Sequence, residues 1–352
     1  MITRIEIDGF KSFVDFELDI PRLMVIAGAN GSGKSNLFDA LDLARRAAEE
    51  GPEAALLDGG RGKADELFHR RIDGTLARSM RVRFFSEDPI SGRGSWGFGV
   101  ERPEAATEPY LSSCDDADRA QDVKQLLVLS LEPALMRGRV AARDRGPLNR
   151  DGSNLAAVLG RLSEDPDLFY ELRSYAGGVI PGLAGIEPAL DRRNEWDFDL
   201  RFRQSTASAA TASDGTLRVL GILAAILDPV QRGLVAVDEV ENGVHPSRLG
   251  RLVDAVRDLL VHPELSLRSR QVLLTTHSPV VVAKAQQIPD CEVQFFGTAF
   301  RPYDDEQGVR RTSYVTHPRT LRPGGQRGTF VTPTEISNFL STVERAGLPC
   351  DT

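Results

Sequence analysis

The sequence of 352 residues is poor in cysteine and lysine and has no long apolar run. Its three cysteines, Cys114, Cys291 and Cys350, lie far apart and in no metal-ligand spacing. That pattern favours a reducing cytoplasm without structural disulfides. No apolar stretch approaches the roughly 18 residues that a membrane-spanning helix needs, and the N-terminal MITRIEIDGFKSF has no apolar signal-peptide core. We therefore expect a cytoplasmic protein without a membrane partner.

Acidic residues outnumber basic ones by 51 to 43, and the net charge of -8 argues against a protein whose whole surface coats nucleic acid. The segment Met136–Arg150 is a local exception, with five arginines against the single acid Asp144. Such a segment is either a contact for DNA or an effector protein, or a solvated loop. Its arginines are Arg137, Arg139, Arg143, Arg145 and Arg150. In a second Arg-rich region, Arg301–Arg327, acids at 304–306 dilute the charge.

A glycine-rich motif follows a short apolar run near the N-terminus. Leu23–Ala27 is typical of a buried parallel strand, and Leu37, Leu41 and Ala44 continue after the motif at helical spacing. Between them the sequence fits G-x-x-x-x-G-K-[ST] in full. The residues of the motif are Gly28, Ala29, Asn30, Gly31, Ser32, Gly33, Lys34 and Ser35. The strand, the loop and the helix thus occur in the order that a phosphate-binding P-loop requires.

This order of elements assigns a role to each part of the motif. The glycines let successive backbone N–H groups face the α- and β-phosphates, assisted by the helix dipole. Lys34 can reach the β- and γ-phosphate oxygens, and Ser35 can offer its hydroxyl to Mg²⁺. Asn36, the next residue, belongs to the same predicted nucleotide cradle. We therefore expect ATP and Mg²⁺ as cofactors.

A second short apolar strand, Leu234–Val237, ends in the carboxylates Asp238 and Glu239. Two carboxylates at the end of a buried strand are costly unless they hold a metal or take part in chemistry. Asp238 can hold Mg²⁺ through a water molecule, and Glu239 can polarise the water that attacks the γ-phosphate. The alternative is a strand that simply ends in a solvated acidic loop.

A third strand pattern, Val272–Leu274, is followed by two threonines and then by His277. Carboxyl ends of neighbouring strands meet at one sheet edge in open α/β folds. An imidazole at that edge can bond the γ-phosphate and help to hold the attacking water. The alternative is a structural histidine.

The stretch ASDGT stands immediately before the apolar helix pattern LRVLGILAAIL. A helix N-terminus with a serine hydroxyl and a close-approach glycine is an anion site. We expect Ser213, Asp214, Gly215 and Thr216 to face the γ-phosphate bound by a second subunit, so that two chains enclose two ATP molecules. Ser213 or Asp214 could instead be a simple N-cap.

These motifs resemble those of ABC-type ATPases. ASDGT is similar to the L-S-G-G-Q signature, and it lies between the P-loop and the Asp238-Glu239 strand end, as in that family. Phe10-Lys11-Ser12-Phe13 resembles the opening of SMC and RecF-like ATPases, which implies that Lys11 lies near the nucleotide. The stretches DGSNLAAVLGRL, SDGTLR and DEVENGVHP look like the AAA-type ATPases related to the overcoming-lysogenization-defect family. The resemblance covers about 1–290 and implies a role in anti-phage defence or DNA repair.

The predicted fold class is α/β: an ABC-type ATPase head with a mixed sheet flanked by helices, a compact inserted lobe and no long coiled coil. We divide the chain into the N-terminal half of the ATPase core (1–75), the lobe (76–210), the C-terminal half of the core (211–290) and a small extension (291–352). Strands are predicted in the lobe at 80–85, 96–100, 126–131 and 196–203, with one helical stretch at 154–175. The extension is expected to end in a helix opened by Thr332 and Pro333 and stopped by Gly347.

The sequence departs from the family pattern in two places. No clear Q-loop glutamine is found; Glu66–His69 is a candidate by position only, and His69 is expected to be an ordinary loop or surface histidine. The acids Asp304, Asp305 and Glu306 are expected in a solvated polar loop without flanking strands, so no separate nuclease centre is identified.

Three functions remain open at this point. The first is an ATPase that forms a homodimer around ATP and controls DNA or a separately encoded effector. The second is the ATP-binding subunit of a membrane transporter, and the third is a self-contained, ATP-regulated nuclease.

Overall fold

The computed structural model describes residues 1–57, 64–88, 92–102, 109–115, 120–262, 270–304, 308–320, 331 and 335. The chain forms two compact units: the first comprises Met1–Leu126 and the described residues from Glu292 onward, and the second comprises Leu127–Cys291. Over the described ranges, no helix is both long and apolar enough to cross a membrane. Of the predicted closing helix only Glu335 is described, and Thr332, Pro333 and Gly347 lie outside the described residues.

Strands and helices alternate along the chain. The strands are β1 Ile2–Asp8, β2 Phe16–Asp19, β3 Leu23–Gly28, β4 Ser79–Asp88, β5 Gly92–Glu101, β6 Tyr110–Cys114, β7 Leu127–Leu129, β8 Val140–Ala141, β9 Leu183–Leu190, β10 Glu195–Phe202, β11 Thr206–Ser208, β12 Leu234–Val237, β13 Gln271–Thr276, β14 Cys291–Asp304 and β15 Arg310–Thr320. The helices are α1 Lys34–Glu50, α2 Pro52–Leu57, α3 Gln121–Lys124, α4 Pro133–Met136, α5 Leu155–Ser163, α6 Pro166–Val179, α7 Asp214–Leu227, α8 Pro246–Val261 and α9 Pro279–Gln286.

An antiparallel sheet in the order β2-β1-β4-β5-β6 forms one part of the first unit. Ile5 of β1 lies opposite Leu18 on one side and Phe84 on the other, and Ile5 and Ile7 are buried. The apolar and polar residues of β1 alternate because successive side chains of a strand point to opposite faces. β1 and β2 therefore form a hairpin, with β2 at the edge and β1 inside the sheet.

The P-loop strand β3 neighbours β14, which pairs with β15, so these strands lie in the order β15-β14-β3. Every residue of β3 is buried, as its continuous apolar sequence predicts. The long β14–β15 hairpin corrects the expectation for the acidic run. Asp304 is the last residue of β14 and lies opposite Arg310, so strands do flank the run, whereas Asp305 and Glu306 lie outside the described residues.

Three parallel strands in the order β13-β12-β7 form the centre of the second unit. Val235 of β12 pairs with Val272 on one side and Leu127 on the other. These strands are buried and apolar throughout, which is typical of parallel strands covered on both faces. All three carboxyl ends therefore lie at the same edge of this sheet.

A smaller antiparallel sheet, β11-β10-β8 with β9 paired to β10, packs on α5. The predicted single helix at 154–175 is wrong in one respect, because it is two helices. Pro166 opens α6, and the carboxylate of Asp165 accepts from the backbone N–H groups of Asp167 and Leu168 at 3.1 and 3.2 Å. A proline at the first helical position and an aspartate cap start a new helix rather than continuing the old one.

The residues predicted as one inserted lobe, 76–210, contribute to both units. Strands β4 to β6 continue the sheet of β1 and β2, whereas β8 to β11 belong to the second unit. Parallel and antiparallel strands flanked by helices confirm the predicted α/β class. The longest helix in the described ranges is α1, with 17 residues.

An ion pair at the end of α7 connects three parts of the second unit. The Asp228 side chain is 0% exposed, and Arg161 of α5 donates to its carboxylate from Nη2 at 2.5 Å and from Nε at 3.2 Å. Arg270, just before β13, donates to the carbonyls of Ala225, Ile226 and Asp228. The last carbonyls of a helix lack hydrogen-bond donors within that helix. Arg270 supplies donors to these carbonyls at the end of α7.

Replacing Arg161 with methionine should destabilise the protein strongly, because it leaves the buried Asp228 carboxylate without its partner. We expect a loss of about 3–5 kcal/mol in the free energy of unfolding, measured by urea denaturation. Arg145→Met is the matched control, since Arg145 forms an exposed pair with Glu164 and its loss should cost at most about 1 kcal/mol. Equal, small effects of the two variants would show that the Asp228 charge does not depend on Arg161, because the buried Arg270 guanidinium remains near it.

Candidate functional site

The predicted P-loop is formed by the turn between β3 and α1. Gly33 immediately precedes α1 with a φ of 100°, a left-handed conformation that favours glycine. A Cβ atom on Gly33 would lie only 1.9 Å from Oγ1 of Thr316 on β15. Two independent constraints, the backbone conformation and the close packing, thus require glycine at this position.

Lys34 points back into the loop. Its side chain is buried, and Nζ donates to the carbonyl oxygens of Gly28 at 2.8 Å and Ala29 at 3.2 Å. The backbone N–H of Ser32 donates to the Ala29 carbonyl at 3.2 Å, which closes the curl. Among the remaining predicted cradle residues, Ala29, Asn30, Gly31 and Ser35 are exposed, whereas Ser32 and Gly33 are buried and Asn36 is half-buried.

A set of side-chain contacts fixes the cradle from outside. The Thr316 hydroxyl donates to the Ser32 carbonyl at 3.0 Å and lies 2.6 Å from the hydroxyl of Ser12. Asn36 donates from Nδ2 to the Ser12 hydroxyl at 2.8 Å. Sequence reasoning missed Thr316 because it lies 284 residues from Ser32 and carries no motif. It also missed Ser12, which belongs to the Phe10–Phe13 opening.

Lys11 lies beside the P-loop helix, with Nζ 2.6 Å from the Asp39 carboxylate. His69 lies in a loop, which is one of the two expected placements, but it is buried, so the alternative of a surface histidine is wrong. Its Nδ1 lies 2.6 Å from the Lys11 carbonyl, and its Nε2 lies 2.6 Å from the hydroxyl of Ser313. Burial lowers the pKa of His69, although the Lys11 carbonyl opposes this. His69 therefore holds the Phe10–Phe13 segment in place as a neutral group.

A groove of about 350 Å³ opens beside the start of α1 and is lined by Lys11, Ser12, Asn36 and Tyr314, among others. Tyr314 of β15 is 54% exposed and contacts the ring of Phe300, 62% exposed, with centroids 4.3 Å apart. Tyr314 and Thr316 are two residues apart on one strand and so lie on the same face. An exposed aromatic ring therefore stands next to the residue that contacts the cradle.

In the second unit, one hydroxyl positions both predicted carboxylate residues. Oγ1 of Thr275 accepts a hydrogen bond from the backbone N–H of Glu239 at 2.8 Å and donates to Oδ1 of Asp238 at 2.8 Å. The backbone N–H of Asp238 donates to the Leu129 carbonyl at the end of β7. The carboxyl ends of β12 and β13 thus lie together, as the sequence predicts, and the carboxyl end of β7 lies beside them.

Glu239 has a φ of 47°, a conformation that costs a residue other than glycine about 1–3 kcal/mol and that concentrates at functional sites. Its carboxylate accepts from Nδ2 of Asn242 at 2.6 Å and lies 3.5 Å from Nε2 of His277. Glu239 and His277, both predicted to be catalytic, are therefore neighbours in the second unit.

A second carboxylate, Glu241, orients His277. It accepts one hydrogen bond from the backbone N–H of His277 and another from the hydroxyl of Thr276 at 2.8 Å. The sequence places Glu241 two residues after Glu239 but does not indicate that it accepts hydrogen bonds from Thr276 and His277 at the end of β13. Thr275, Asn242 and Glu241 are thus supporting residues that only the structure identifies.

The signature segment, Ser213–Thr216, forms the N-cap and the first residues of α7. Ser213 is its N-cap: the hydroxyl accepts from the backbone N–H of Thr216 at 3.3 Å and lies 2.8 Å from the Thr216 hydroxyl. Gly215 is buried, and an added Cβ would lie 2.2 Å from the carbonyl oxygen of Gly243. The structure therefore gives Gly215 a packing role against the loop that follows Glu239, which the sequence did not indicate.

Polar residues also follow β7, the strand next to β12. The backbone N–H groups of Ser130 and Glu132 donate to the Arg150 and Asp151 carbonyls, both at 2.8 Å. Burial lowers the pKa of Arg218, and Asp214, Glu239 and Glu132 oppose this. Glu132 thus lies within electrostatic range of the signature helix.

The Q-loop candidate Glu66–His69 belongs to the first unit, where Glu66 and His69 line the groove beside Lys11.

The Arg-rich segment Met136–Arg150 is largely paired with acids of the second unit. Arg137 lies 2.6 Å from the carboxylate of Asp214, and Arg145 lies 3.2 Å from that of Glu164. Arg139 contacts the carboxylates of Asp191 and Asp197 at 3.3 and 3.1 Å. Much of the positive charge of this segment, which the sequence analysis considers as a DNA or effector contact, is therefore paired with acids of the same chain.

Comparison with known families gives two matches. Residues 128–283, which include the signature segment, Asp238, Glu239 and His277, match the family model "AAA domain, putative AbiEii toxin, Type IV TA system". Residues 1–50, which include the P-loop, match the model of an AAA ATPase domain. No curated protein matches the chain.

Solved structures give the fold. An SMC head bound to the C-winged helix domain of ScpA is similar, with a TM-score of 0.60, 14% identity and coverage of 90% of this chain and 98% of that one. A second SMC head, from Pyrococcus furiosus and bound to the C-terminal domain of ScpA, has a TM-score of 0.59, 12% identity and 99% coverage of both chains. The SMC head domain of Thermotoga maritima has a TM-score of 0.52, 15% identity and coverage of 89% and 98%.

The chain is an ATPase with the fold of an SMC head. Its motif residues are divided between the two units, since the cradle and Lys11 lie in the first and Ser213–Thr216, Asp238, Glu239 and His277 in the second. The predicted resemblance to SMC and RecF-like ATPases is confirmed.

In this ATPase, Gly215→Ala should disturb the contact between the signature segment and the Gly243 loop, because the added methyl group meets a backbone oxygen. We expect about 1–3 kcal/mol of destabilisation and slower ATP hydrolysis, measured by thermal unfolding and phosphate release. Gly178→Ala is the control, since Gly178 lies within α6 and nothing lies within 4 Å of an added Cβ. If both variants behave like the parent, the Gly215 packing contact has no energetic role.

Proposed function

We propose that this ATPase forms a homodimer around two molecules of Mg-ATP and that ATP binding and hydrolysis switch its hold on a separately encoded effector protein or on DNA. The observation that carries the proposal is the oriented pair of Glu239 and His277 in one unit together with an exposed signature turn. These two features support the proposal that one chain carries both a site for hydrolysis and a surface for a second subunit.

Mg-ATP would be held by the side chains and backbone groups that the sequence predicts. Ser35 presents an exposed hydroxyl in the first turn of α1, and the Asp238 carboxylate is held by Thr275. Hydroxyl and carboxylate oxygens suit Mg²⁺, which keeps several waters and binds one or two carboxylates plus substrate phosphates. Bound Mg²⁺ would offset the negative charge of the phosphates, while Lys34 and the Gly28–Ser35 backbone N–H groups bind them.

Hydrolysis requires a base and a group that fixes the attacking water. We assign the base to Glu239, whose carboxylate is oriented by Asn242 and whose backbone is held by Thr275. His277, 3.5 Å from that carboxylate, would bond the γ-phosphate and the same water. Rigid placement of both groups favours the geometry of the transition state.

The signature turn supplies the reason for a dimer. Ser213 and Asp214 are exposed at the N-terminus of α7, where backbone N–H groups and the helix dipole favour an anion. A γ-phosphate bound on the P-loop of a second copy would supply that anion. Gly215 and Thr216 are buried behind the turn and support its shape.

The biological role proposed is anti-phage defence or DNA repair, with the effector as the more direct partner. The family model matched by residues 128–283 names a toxin–antitoxin system, and the similar SMC head was solved with a domain of ScpA. The acid-paired state of Met136–Arg150 favours a protein partner over DNA at that segment.

The dimer can be tested with Glu239→Gln, which should bind ATP without cleaving it because the carboxamide cannot act as a base. We expect the mass in solution to double when Mg-ATP is added, and Ser213→Arg in the same background to prevent the doubling. Ser205→Arg, in an exposed turn of the same unit, is the matched control and should dimerise normally. A mass that Mg-ATP leaves unchanged, or a dimer that survives Ser213→Arg, would contradict the proposal.

We further assign the base of ATP to the groove beside Lys11, stacked on Tyr314. Tyr314→Ala should weaken ATP binding roughly tenfold, since base–aromatic stacking contributes about 1–3 kcal/mol. Tyr110→Ala removes a comparably exposed tyrosine, 51% against 54%, from β6 and should leave the affinity unchanged. Fluorescent nucleotide titration measures both. Equal affinities for the two variants would place the base elsewhere.

A further inference from the structure

The signature turn contains a carboxylate, Asp214, directly after the N-cap Ser213 at the helix end to which the proposed function assigns a phosphate. Asp214 is the first residue of α7, and its side chain is 63% exposed. An acid stabilises the N-terminus of a helix, but the same charge repels the phosphate of an incoming ATP. A turn that binds an anion therefore needs this charge to be offset.

Arg137 provides the opposite charge and contacts both sides of the Ser213 cap. Its Nη2 lies 2.6 Å from Oδ1 of Asp214 and donates to the Ala212 carbonyl at 2.9 Å. The Arg137 side chain is only 26% exposed, against 63% for Asp214.

The backbone next to Arg137 is anchored to the same helix. Met136, the last residue of α4, is fully buried. Its Cε lies 2.8 Å from where a Cβ of Gly221 would be. Gly221 is seven residues after Asp214, two turns along α7, and therefore on the same face. Met136 fixes α4 against that face, and Arg137 reaches from there to the signature turn.

We propose that Arg137 is a positioning residue that neutralises Asp214 and so allows the Ser213–Gly215 turn to accept the γ-phosphate of ATP bound by a second copy of the chain. The inference rests on the proposed ATP-dependent dimer. It removes Arg137 from the set of arginines available to DNA and connects the residues after β7 to the signature segment.

The charge pair is tested by rescue in the Glu239→Gln background. Arg137→Met keeps most of the aliphatic length but removes the guanidinium that contacts Asp214, so that Arg218 remains as its more distant positive neighbour. The variant should weaken Mg-ATP-dependent dimerisation roughly tenfold. Adding Asp214→Asn removes the repelling charge and should restore dimerisation to within about twofold of the parent. Arg139→Met, which breaks exposed pairs with Asp191 and Asp197, is the control and should have no effect. Sedimentation equilibrium gives the dissociation constants, and thermal unfolding shows that each variant is folded.

A salt series gives a second readout. The difference between Arg137→Met and the parent should shrink as salt is raised, because the repulsion that the variant exposes is screened. A merely structural defect would persist at all salt concentrations.

Each other outcome overturns the inference. If Arg137→Met dimerises like the parent, Arg137 has no role in the turn. If the single and double variants are equally weak, Arg137 acts by packing and the charge argument is wrong. If the parent itself fails to dimerise with Mg-ATP, or if Ser213→Arg still dimerises, the proposed function fails, and this inference fails with it for a distinguishable reason.

Discussion

The hydroxyl of Thr275 is the contact on which the hydrolytic half of the molecule depends. A single oxygen accepts from the backbone of Glu239 and donates to the side chain of Asp238, so one residue of β13 fixes the end of β12. That contact helps to hold Glu239 in a left-handed conformation. The structure thus keeps a strained residue in place by bonding its N–H group to the neighbouring strand, which releases none of the strain but makes relaxation costly.

The same design recurs in the first unit, with different residues. The P-loop is held from outside by hydroxyls and an amide, those of Thr316, Ser12 and Asn36. Neutral polar side chains position the P-loop, Asp238 and Glu239, whereas carboxylates hold two other residues expected near ATP: Glu241 holds His277, and Asp39 holds Lys11.

Much of the fold and of the candidate site can be predicted from the sequence, and the features that cannot be predicted have identifiable physical causes. Motifs local in the chain, such as Gly28–Ser35, Leu234–Glu239 and the Ser213 cap, were predicted because their spacing determines their local structure. Long-range partners such as Thr316 and the pair Arg161–Asp228 carry no local signal, since a threonine or an arginine is ordinary in its own neighbourhood. The burial of His69 is not predictable from the sequence, because nothing in its flanking residues indicates that two hydrogen bonds satisfy its ring. The reason for Gly215 was also incomplete, because its close neighbour Gly243 belongs to a different loop.

The position of β15 has a consequence for synthesis. Thr316, which holds the P-loop by a hydrogen bond, follows 284 residues after Ser32. The ribosome adds roughly 5–20 residues per second, so the motif exists without this contact for on the order of tens of seconds of synthesis. A nascent chain therefore cannot hold the finished cradle, and a truncated product that ends before β15 would carry the complete motif without the support that shapes it. The nucleotide cradle can therefore be completed only after β15, and hence nearly all of the described fold, has been synthesised.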